Sequence, residues 1–286
     1  MRSFSTAVLG LAASATMVLG HGHVRRVVVG DVTYPGWEKA GGGSQPNAVT
    51  WSFTTQDEGP ILAANVGTDD IICHQGATNA QSFVPVAAGS QLQVVRYNEI
   101  GGFEHPGPEM HYLASCGEPG CKDVAKQDLR FFKIYERGLV KGGWADPGTW
   151  EVQKWATTEI HKNAQPEGNG FVDTYTVNIP ANIKPGQYIL RHEVMGLHRA
   201  DKGEAEFYPQ CINLQISGSG SQQPDGQSAT RMYSSEDPGV HVDIWDSDVE
   251  SYIIPGPPLS SVASKRDIEN TPAPKTHARD IKHWLS

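Results

Sequence analysis

The sequence predicts an all-β chain folded as a β-sandwich with long loops. Short segments alternate between apolar and polar residues, and turn-forming Gly, Pro, Asn and Asp residues interrupt them. No long stretch has the 3.6-residue apolar period of an amphipathic helix. Many short strands separated by turn signals are typical of two packed antiparallel sheets.

The first twenty residues predict a secretory signal peptide. Arg2 supplies the basic start, and the apolar core "AVLGLAASATMVLG" is too short and too rich in small residues to span a membrane. Val18 and Gly20 suit the −3 and −1 positions of a cleavage site. We therefore expect a secreted, extracellular chain that begins at His21, and no other run is apolar enough to cross a bilayer.

The mature chain is acidic. The net charge is −9, and the loss of Arg2 with the signal peptide makes it −10. Such a charge disfavours binding to nucleic acid and fits an uncharged partner such as a polysaccharide. The remaining 266 residues are an ordinary length for one all-β domain.

Four segments predict strands by their composition and alternation. In the last of them, the apolar Ile212, Leu214 and Ile216 alternate with polar residues. The segments are "QLQVVRY" (91–97), "YTVNI" (175–179), "QYILRHEV" (187–194) and "CINLQI" (211–216).

The segments between and after these strands set the predicted domain limits. "SGSGSQQPDG" (217–226) resembles a linker, but 232–259 has the texture of the same domain, so we expect one folded domain over 21–259. Residues 260–286 lack a core pattern and predict a disordered tail. Long loops, which are usually functional in a compact domain, are predicted at 34–50, 118–130 and 140–170.

Four cysteines predict two disulfides in a secreted chain, with three possible connectivities. Cys116 and Cys121 flank the turn-forming stretch "GEPG", so a local pair is natural, and it leaves Cys73 for Cys211. A zinc site is the weaker alternative, because neither pair has C-x-x-C spacing.

His21, in "HGHV", would be the first residue after cleavage. An N-terminal histidine offers two nitrogen donors, its α-amine and its imidazole Nδ1, and a second imidazole would complete a three-nitrogen site. Such donors suit copper, which heads the affinity order of divalent metals. His23 lies two residues along an extended strand, roughly 6.5–7 Å away, which is too far to share the ion.

Several ordered segments carry a resemblance to a known family. Together with "HGHV" they make residues 21–259 similar to the fungal lytic polysaccharide monooxygenases of auxiliary activity family nine, formerly glycoside hydrolase family sixty-one. That family folds as an immunoglobulin-like or fibronectin-like β-sandwich. The segments are "DIICHQGATNA" (70–80), "EHPGPEMHYLASC" (104–116), "FFKIYERGLV" (131–140), "IPANIKPGQYILRHEVMGLHRA" (179–200), "EFYPQCINLQISGSG" (206–220) and "SYIIPGPPL" (251–259).

The resemblance implies one copper ion per chain. Its ligands would be His21, through the amine and Nδ1, and His105 in "HPGP". Tyr208 in "FYPQC" would occupy the buried axial position, and His198 in "GLHRA" would be the histidine that hydrogen-bonds oxygen species near copper. The four cysteines agree with the family's two disulfide pairs, and we interpret His192 as structural.

Glu206 is a departure, because the family usually has glutamine two residues before the axial tyrosine. Residues i and i+2 share a strand face, so Glu206 and Tyr208 should both point toward the metal. A carboxylate there would favour Cu(II), or would carry a proton if burial raised its pKa. We therefore count His198, Glu206 and Tyr208 as candidate catalytic residues.

The resemblance also implies a reaction and its partners. The reaction would be oxidative cleavage of cellulose or a related β-1,4-glucan at C1 or C4, with O₂ or H₂O₂ as co-substrate. A small-molecule reductant or cellobiose dehydrogenase would supply electrons, and we expect a monomer. Tyr34, Trp37 and Tyr252 are candidate aromatic contacts to a flat substrate, although packing of the loops is the alternative role for these rings.

Two other function classes are compatible with these residues. A hydrolytic glycosidase would need two carboxylates across the scissile bond, and no segment indicates such a pair. A non-catalytic secreted copper- or polysaccharide-binding protein of the same fold is the second alternative, because Glu206 alters the site. Oxidised products, or reductant-dependent peroxide chemistry, would distinguish both from a monooxygenase.

Overall fold

The computed structural model describes residues 21–39, 45–55, 58–99, 102–142, 154–245 and 249–263. The predicted signal peptide and residues 264–286 lie outside the described residues. None of the helices in these ranges is long and apolar enough to cross a membrane.

The described ranges contain thirteen strands and two α-helices, besides short 3₁₀ turns. Their bounds are β1 Gly22–Val29, β2 Val32–Pro35, β3 Ile61–Leu62, α1 Asp70–Cys73, β4 Val84–Ala87, β5 Gln91–Asn98, β6 Glu109–Ser115, β7 Phe132–Arg137, β8 Leu139–Lys141, β9 Lys154–Trp155, α2 Ala156–His161, β10 Gln165–Glu167, β11 Gly170–Asn178, β12 Gly186–Gly196 and β13 Glu206–Ser217.

Most strands form two sheets. One has five strands in the order β10-β11-β5-β1-β2, and the other has the order β3-β13-β12-β6-β7, with β4 parallel to β13. The other pairings within the two sheets are antiparallel. The predicted all-β sandwich is therefore confirmed, and each of the four predicted strand segments overlaps an observed strand.

The space between the two sheets is an apolar core. The alternation of β-branched and aliphatic residues gives each sheet one apolar face, and burial of those faces drives the packing. The five-stranded sheet contributes Val27, Val94 and Val177, among others, and the six-stranded sheet contributes Leu113, Leu190 and Leu214.

A second apolar cluster covers the other face of the six-stranded sheet. Ile189 and Phe207 point into it, together with Trp51 and Phe131 from the loops. The sheet is thus buried on both faces, which explains why β12 is buried without alternation. Asn213 does not face solvent, because it accepts a hydrogen bond from Trp51 Nε1 (2.8 Å) and donates one to Ala80 O.

Both predicted disulfides are present. Cys73, at the end of α1, is joined to Cys211 in β13. Cys116 and Cys121 form the local pair after β6. The first bond joins α1 to the six-stranded sheet, and the second closes a turn directly after β6.

The segment 140–170, predicted as a loop, is structured where the structure describes it. It contains the last two residues of β8, the strand β9, the helix α2, β10 and the first residue of β11. Thr158 Oγ1 accepts a hydrogen bond from Trp155 N (3.2 Å) and donates one to Trp155 O at the start of α2. A helix of six residues is too short to show an apolar period, so this segment carries no helical signal.

Two segments at the end of the domain lie against the sandwich. The predicted linker forms β-bridges through Gln222, to Ile183, and through the adjoining Gln227, to Phe131. Residues 260–263, the described part of the predicted tail, continue the packed chain, because Ser260 N donates to Lys133 O (2.8 Å).

Candidate metal centre

His105 lies in the loop "EHPGP" that precedes β6. The Thr157 hydroxyl of α2 donates hydrogen bonds to His105 O (2.7 Å) and Gly107 O (3.0 Å). On the other side, Leu197 N donates to Pro106 O (2.8 Å). A Cβ atom at position 107 would lie 2.0 Å from the carbonyl oxygen of Met195, so glycine permits this close approach. The loop is therefore fixed between α2 and the end of β12.

Four side chains converge at this end of the sandwich. Glu206 Oε2 lies 3.6 Å from His105 Nε2, and Glu206 Oε1 lies 3.7 Å from His198 Nε2. The Tyr208 hydroxyl donates a hydrogen bond to Glu206 Oε2 (2.8 Å). Glu206 and Tyr208 therefore share one face of β13, as the i, i+2 spacing predicts.

The two imidazoles lie one against the other. The ring centroids of His105 and His198 are 4.2 Å apart, with an angle of 22° between the ring planes. Trp245 Nε1 donates to the backbone oxygen of His198 (3.1 Å), which fixes the segment after β12. His198 Nδ1 is buried and has no hydrogen-bond partner among the described residues.

Both imidazoles are poised in the neutral form. The pKa of His105 lies well below its usual value, because of burial first and then because protonation would place its charge near those of His198, His21 and Arg96 in their protonated forms. Burial, and to a lesser degree Arg199, lowers the pKa of His198 to about 4. Neutral imidazole is the form that coordinates metals.

The carboxyl of Glu206 is shifted in the opposite direction. Burial raises its pKa to about 7, although the hydrogen bond from Tyr208 and the charge of Arg199 partly oppose this. A carboxyl with such a pKa exchanges a proton near neutral pH. The expectation that Glu206 could carry a proton therefore has a physical basis in the metal-free chain.

His21 directly precedes β1, beside this cluster. Its charge contributes to the lowered pKa of His105. The following carbonyl, Gly22 O, accepts hydrogen bonds from Arg96 Nη2 (2.7 Å) and Gln210 Nε2 (3.1 Å). A Cβ atom at position 22 would lie 2.2 Å from Tyr97 O, so the close pairing of β1 with β5 requires glycine there.

The donor atoms present fit a copper ion. One nitrogen or oxygen from each of His105, His198 and Glu206 lies within 4.8 Å of the others, which makes this cluster a possible metal site. Neutral imidazoles suit copper. The further donor implied by the resemblance, the His21 amine, would be freed only by cleavage at residue 20, outside the described residues.

The predicted substrate-contacting rings lie in three different settings. Tyr34 is half-buried in β2, and Trp37 packs on Phe53 with 5.1 Å between centroids. Tyr252 packs edge-on against Trp155 (4.9 Å) and donates its hydroxyl to Gly239 O. These contacts account for the positions of Trp37 and Tyr252 by packing, and the role of all three in substrate binding stays a prediction.

Comparison with known proteins agrees with this geometry. The model of "Auxiliary Activity family 9 (formerly GH61)" matches residues 21–252. The chain belongs to Auxiliary Activity family 9. Its match begins at His21, the predicted first residue of the mature chain, and includes every residue of the cluster described above.

Curated family 9 relatives cover most of the chain. The lytic polysaccharide monooxygenase D of Podospora anserina is 38% identical over 264 residues, which are 91% of this chain and 72% of that protein. The lytic polysaccharide monooxygenase F of Emericella nidulans is 38% identical over 257 residues, 88% of this chain and 96% of that protein. Family membership assigns the chain to the same class of oxidoreductase, and a non-catalytic binding protein is not favoured.

A solved family 9 structure has the same fold. The extended catalytic domain of Hypocrea jecorina LPMO9A superposes with a TM-score of 0.75 at 36% identity, and the match covers 90% of this chain and 96% of that one. The sandwich and its loops are therefore those of a family 9 enzyme.

Sequence reasoning did not single out several residues that position this cluster. Gln210 could have been found, because it follows Tyr208 by two residues in "FYPQC" and so shares its strand face. Thr157 lies in a segment predicted as a loop and Arg96 in the predicted strand 91–97, neither of which carried a functional signal, and only the folded chain brings the two residues to the cluster.

Proposed function

We propose that the protein is a secreted, copper-dependent lytic polysaccharide monooxygenase that cleaves β-1,4-glucan by oxidation at C1 or C4. The observation that carries this proposal is the buried, neutral His105 imidazole beside His198 and Glu206 at one end of the sandwich. One copper ion would be held by His105, by the amine and Nδ1 of His21, and by Tyr208 on the buried side of the site.

When bound, copper supplies the one-electron chemistry that activates O₂ or H₂O₂ for abstraction of hydrogen from a sugar carbon. The protein residues position the copper ligands, shield the site from water and hold a proton beside it. Tyr208 is fully buried and excludes water from the inner side. His198, stacked on His105, presents its Nε2 toward Glu206 and restricts the free space beside the copper-binding ring.

Glu206 has a proton-carrying role in this proposal. Its carboxyl lies between two imidazoles and the Tyr208 hydroxyl, and in the metal-free chain burial raises its pKa to about 7, so that Oε1 or Oε2 can hold a proton near neutral pH. Glutamine at this position could donate a hydrogen bond but could not exchange a proton. The substitution thus gives this chain an acid–base group beside the metal.

The remaining assignments follow from the same proposal. An acidic chain suits an uncharged substrate such as cellulose or a related β-glucan, with Tyr34, Trp37 and Tyr252 as aromatic contacts. Electrons would come from a small-molecule reductant or from cellobiose dehydrogenase. The mature domain would extend over 21–259, act as a monomer outside the cell, and begin at His21 after removal of the signal peptide.

The test is product analysis with a matched control chain. The mature chain beginning at His21, supplied with copper, ascorbate and cellulose, should release aldonic acids or C4-ketone sugars detectable by mass spectrometry. A chain with one extra residue before His21 has an amide in place of the amine, and it should bind copper more weakly and form few oxidised products. Equal copper affinity in the two chains, or products without oxidation, would contradict the proposal.

A further inference from the structure

A buried arginine lies under the candidate metal centre. Arg96, in β5, is fully buried, in a register position opposite Val24 of β1 and Asp173 of β11. Lysine and arginine are almost never buried without a partner, because removing a charge from water is costly. The position of this side chain in the middle of the five-stranded sheet therefore requires a compensating role.

Arg96 contacts the surroundings of each proposed copper ligand. Its Nη2 donates a hydrogen bond to Gly22 O (2.7 Å), the carbonyl of the residue after His21. Its Cζ lies 5.3 Å from the centroid of the Tyr208 ring and 5.4 Å from that of Phe103. A guanidinium at this distance from an aromatic face is held by a cation–π interaction.

Phe103 extends these contacts to the remaining ligand. Its ring packs edge-on against Tyr208, with centroids 5.0 Å apart and an interplanar angle of 88°. It makes a similar contact with His105 (5.3 Å, 75°). One guanidinium therefore contacts the ring of Tyr208 directly, reaches His105 through the ring of Phe103, and binds the carbonyl of the residue that follows His21.

The charge of Arg96 is not neutralised by a direct ion pair within the described residues. The nearby Asp173 is also buried, but its carboxylate is engaged elsewhere: Oδ2 accepts from Asn98 Nδ2 (3.1 Å) and Phe103 N (3.0 Å), and Oδ1 lies 3.2 Å from His161 Nδ1. Arg96 Nε and Nη1 have no hydrogen-bond partner among the described residues. A guanidinium stays protonated at neutral pH even so, so a fixed positive charge remains beneath Tyr208.

We infer that Arg96 is the positioning residue of the copper site, and that its fixed charge favours the reduced ion. This inference rests on the proposed function. The hydrogen bond to Gly22 O fixes the peptide that follows His21, and the cation–π contact fixes the ring of Tyr208. A buried positive charge destabilises Cu(II) more than Cu(I), and it acts strongly because little water screens it.

The experiment compares charge-removing and charge-retaining variants. Arg96→Gln removes the charge, Arg96→Met removes charge and hydrogen bond while filling the space, and Arg96→Lys retains the charge. Arg26→Gln is the matched control, because it changes the net charge of the protein by the same amount as Arg96→Gln. Arg26 lies on β1, is partly exposed and is paired with Glu167. Thermal unfolding of each metal-free chain establishes that it folds.

The copper reduction potential and the electron-spin-resonance spectrum of the Cu(II) form are then measured. Arg96→Gln and Arg96→Met should each lower the potential by about 60 mV, a tenfold change in the ratio of the Cu(II) to the Cu(I) binding constant. Both should also change the copper and nitrogen hyperfine splittings. Arg96→Lys should keep the parent potential because it retains the charge at this position. Arg26→Gln should keep it because its charge is lost at a different, partly exposed position. An effect of net charge alone would appear in Arg26→Gln as well.

The outcomes separate this inference from the proposed function. A parent chain that binds no copper contradicts both. If the parent binds copper and a folded Arg96→Gln or Arg96→Met variant keeps the parent potential and spectrum, only the role of Arg96 is overturned. A fall in potential as large in Arg96→Lys or in Arg26→Gln overturns it as well.

Discussion

Two opposing influences act on the pKa of the Glu206 carboxyl. Its side chain is mostly withdrawn from water, which favours the neutral acid, while the Tyr208 hydroxyl donates a hydrogen bond that favours the anion. Burial is the larger influence, and it raises the pKa to about 7. Since the pKa of a group links its protonation to folding, this shift has a measurable effect on stability.

In the metal-free chain, Glu206→Gln should increase the free energy of unfolding at pH 8.5 and change it little at pH 4. The carboxyl titrates near 4.5 when unfolded and near 7 when folded, so ionisation costs the folded state stability from about pH 4.5 upward, and in full above pH 7. The gain is on the order of 2–3 kcal/mol in the alkaline range. Glutamine still accepts the Tyr208 hydrogen bond.

Urea unfolding at a series of pH values, with a chelator present, measures this effect. Glu118→Gln, which removes the same charge at an exposed turn, is the control. A gain for Glu206→Gln that is the same at pH 4 and pH 8.5 would mean that burial does not raise the pKa of this carboxyl.

At the scale of single residues, contacts between residues close in sequence were predictable, and contacts formed only by folding were not. The shared face of Glu206 and Tyr208 follows from a two-residue strand period, and the structure brings the two side chains into hydrogen-bond contact. Arg96 had no such signal, because its partner Gly22 lies 74 residues away and no local pattern joins them.

At the scale of single elements, the short helix α2 links one loop to the candidate centre. Its Thr157 hydroxyl donates to two carbonyls of the "HPGP" loop, and the helix is packed against β11 and β9. The position of His105 therefore depends on a helix that does not itself contribute a ligand.

Thr157→Val should destabilise the chain and weaken copper binding. Valine has the shape of threonine but no hydroxyl, so His105 O loses its side-chain donor, while Gly107 O keeps the bond from the backbone N of residue 157 (3.3 Å). The expected cost is about 1–3 kcal/mol. Looser positioning of His105 should lower Cu(II) affinity several-fold, as measured by calorimetric titration. Thr176→Val, at an exposed position of β11, is the control and should leave copper affinity unchanged. If the Thr157→Val variant is destabilised but keeps full copper affinity, α2 does not position the metal site.

Strands were better predicted than this helix for a physical reason. The alternation in 175–179 reflects one apolar and one polar face, and the structure has a strand there. The helix α2 has only six residues, and it is stabilised by capping contacts between Trp155 and Thr158 and by tertiary packing. Neither contribution produces an apolar period in the sequence. The burial of Asn213 was likewise not predictable from alternation, because the six-stranded sheet is covered on both faces.

At the scale of the whole molecule, the two disulfides close loops of very different length. Cys73 and Cys211 are 138 residues apart, whereas Cys116 and Cys121 are five apart. The long link joins α1 to β13, the strand that also bears Glu206 and Tyr208. Loss of the long link should therefore affect the entire domain.

Replacing both Cys73 and Cys211 with serine should lower the free energy of unfolding by about 5 kcal/mol, against about 2 kcal/mol for the pair Cys116 and Cys121. The difference arises because the longer loop restricts the unfolded chain more in the chain-entropy model. Chemical denaturation of the two double variants measures both values. A larger loss from the short pair would contradict the expected order.

The strand β1, the first of the described residues, is an interior strand of its sheet. Gly22 O is bound by Gln210, which is 188 residues later in the sequence. During synthesis, His21 would leave the ribosome among the first residues, yet the groups around it complete their positions only when β13 has emerged. Because long-range pairings form late, copper capture by the growing chain would be postponed to the end of translation.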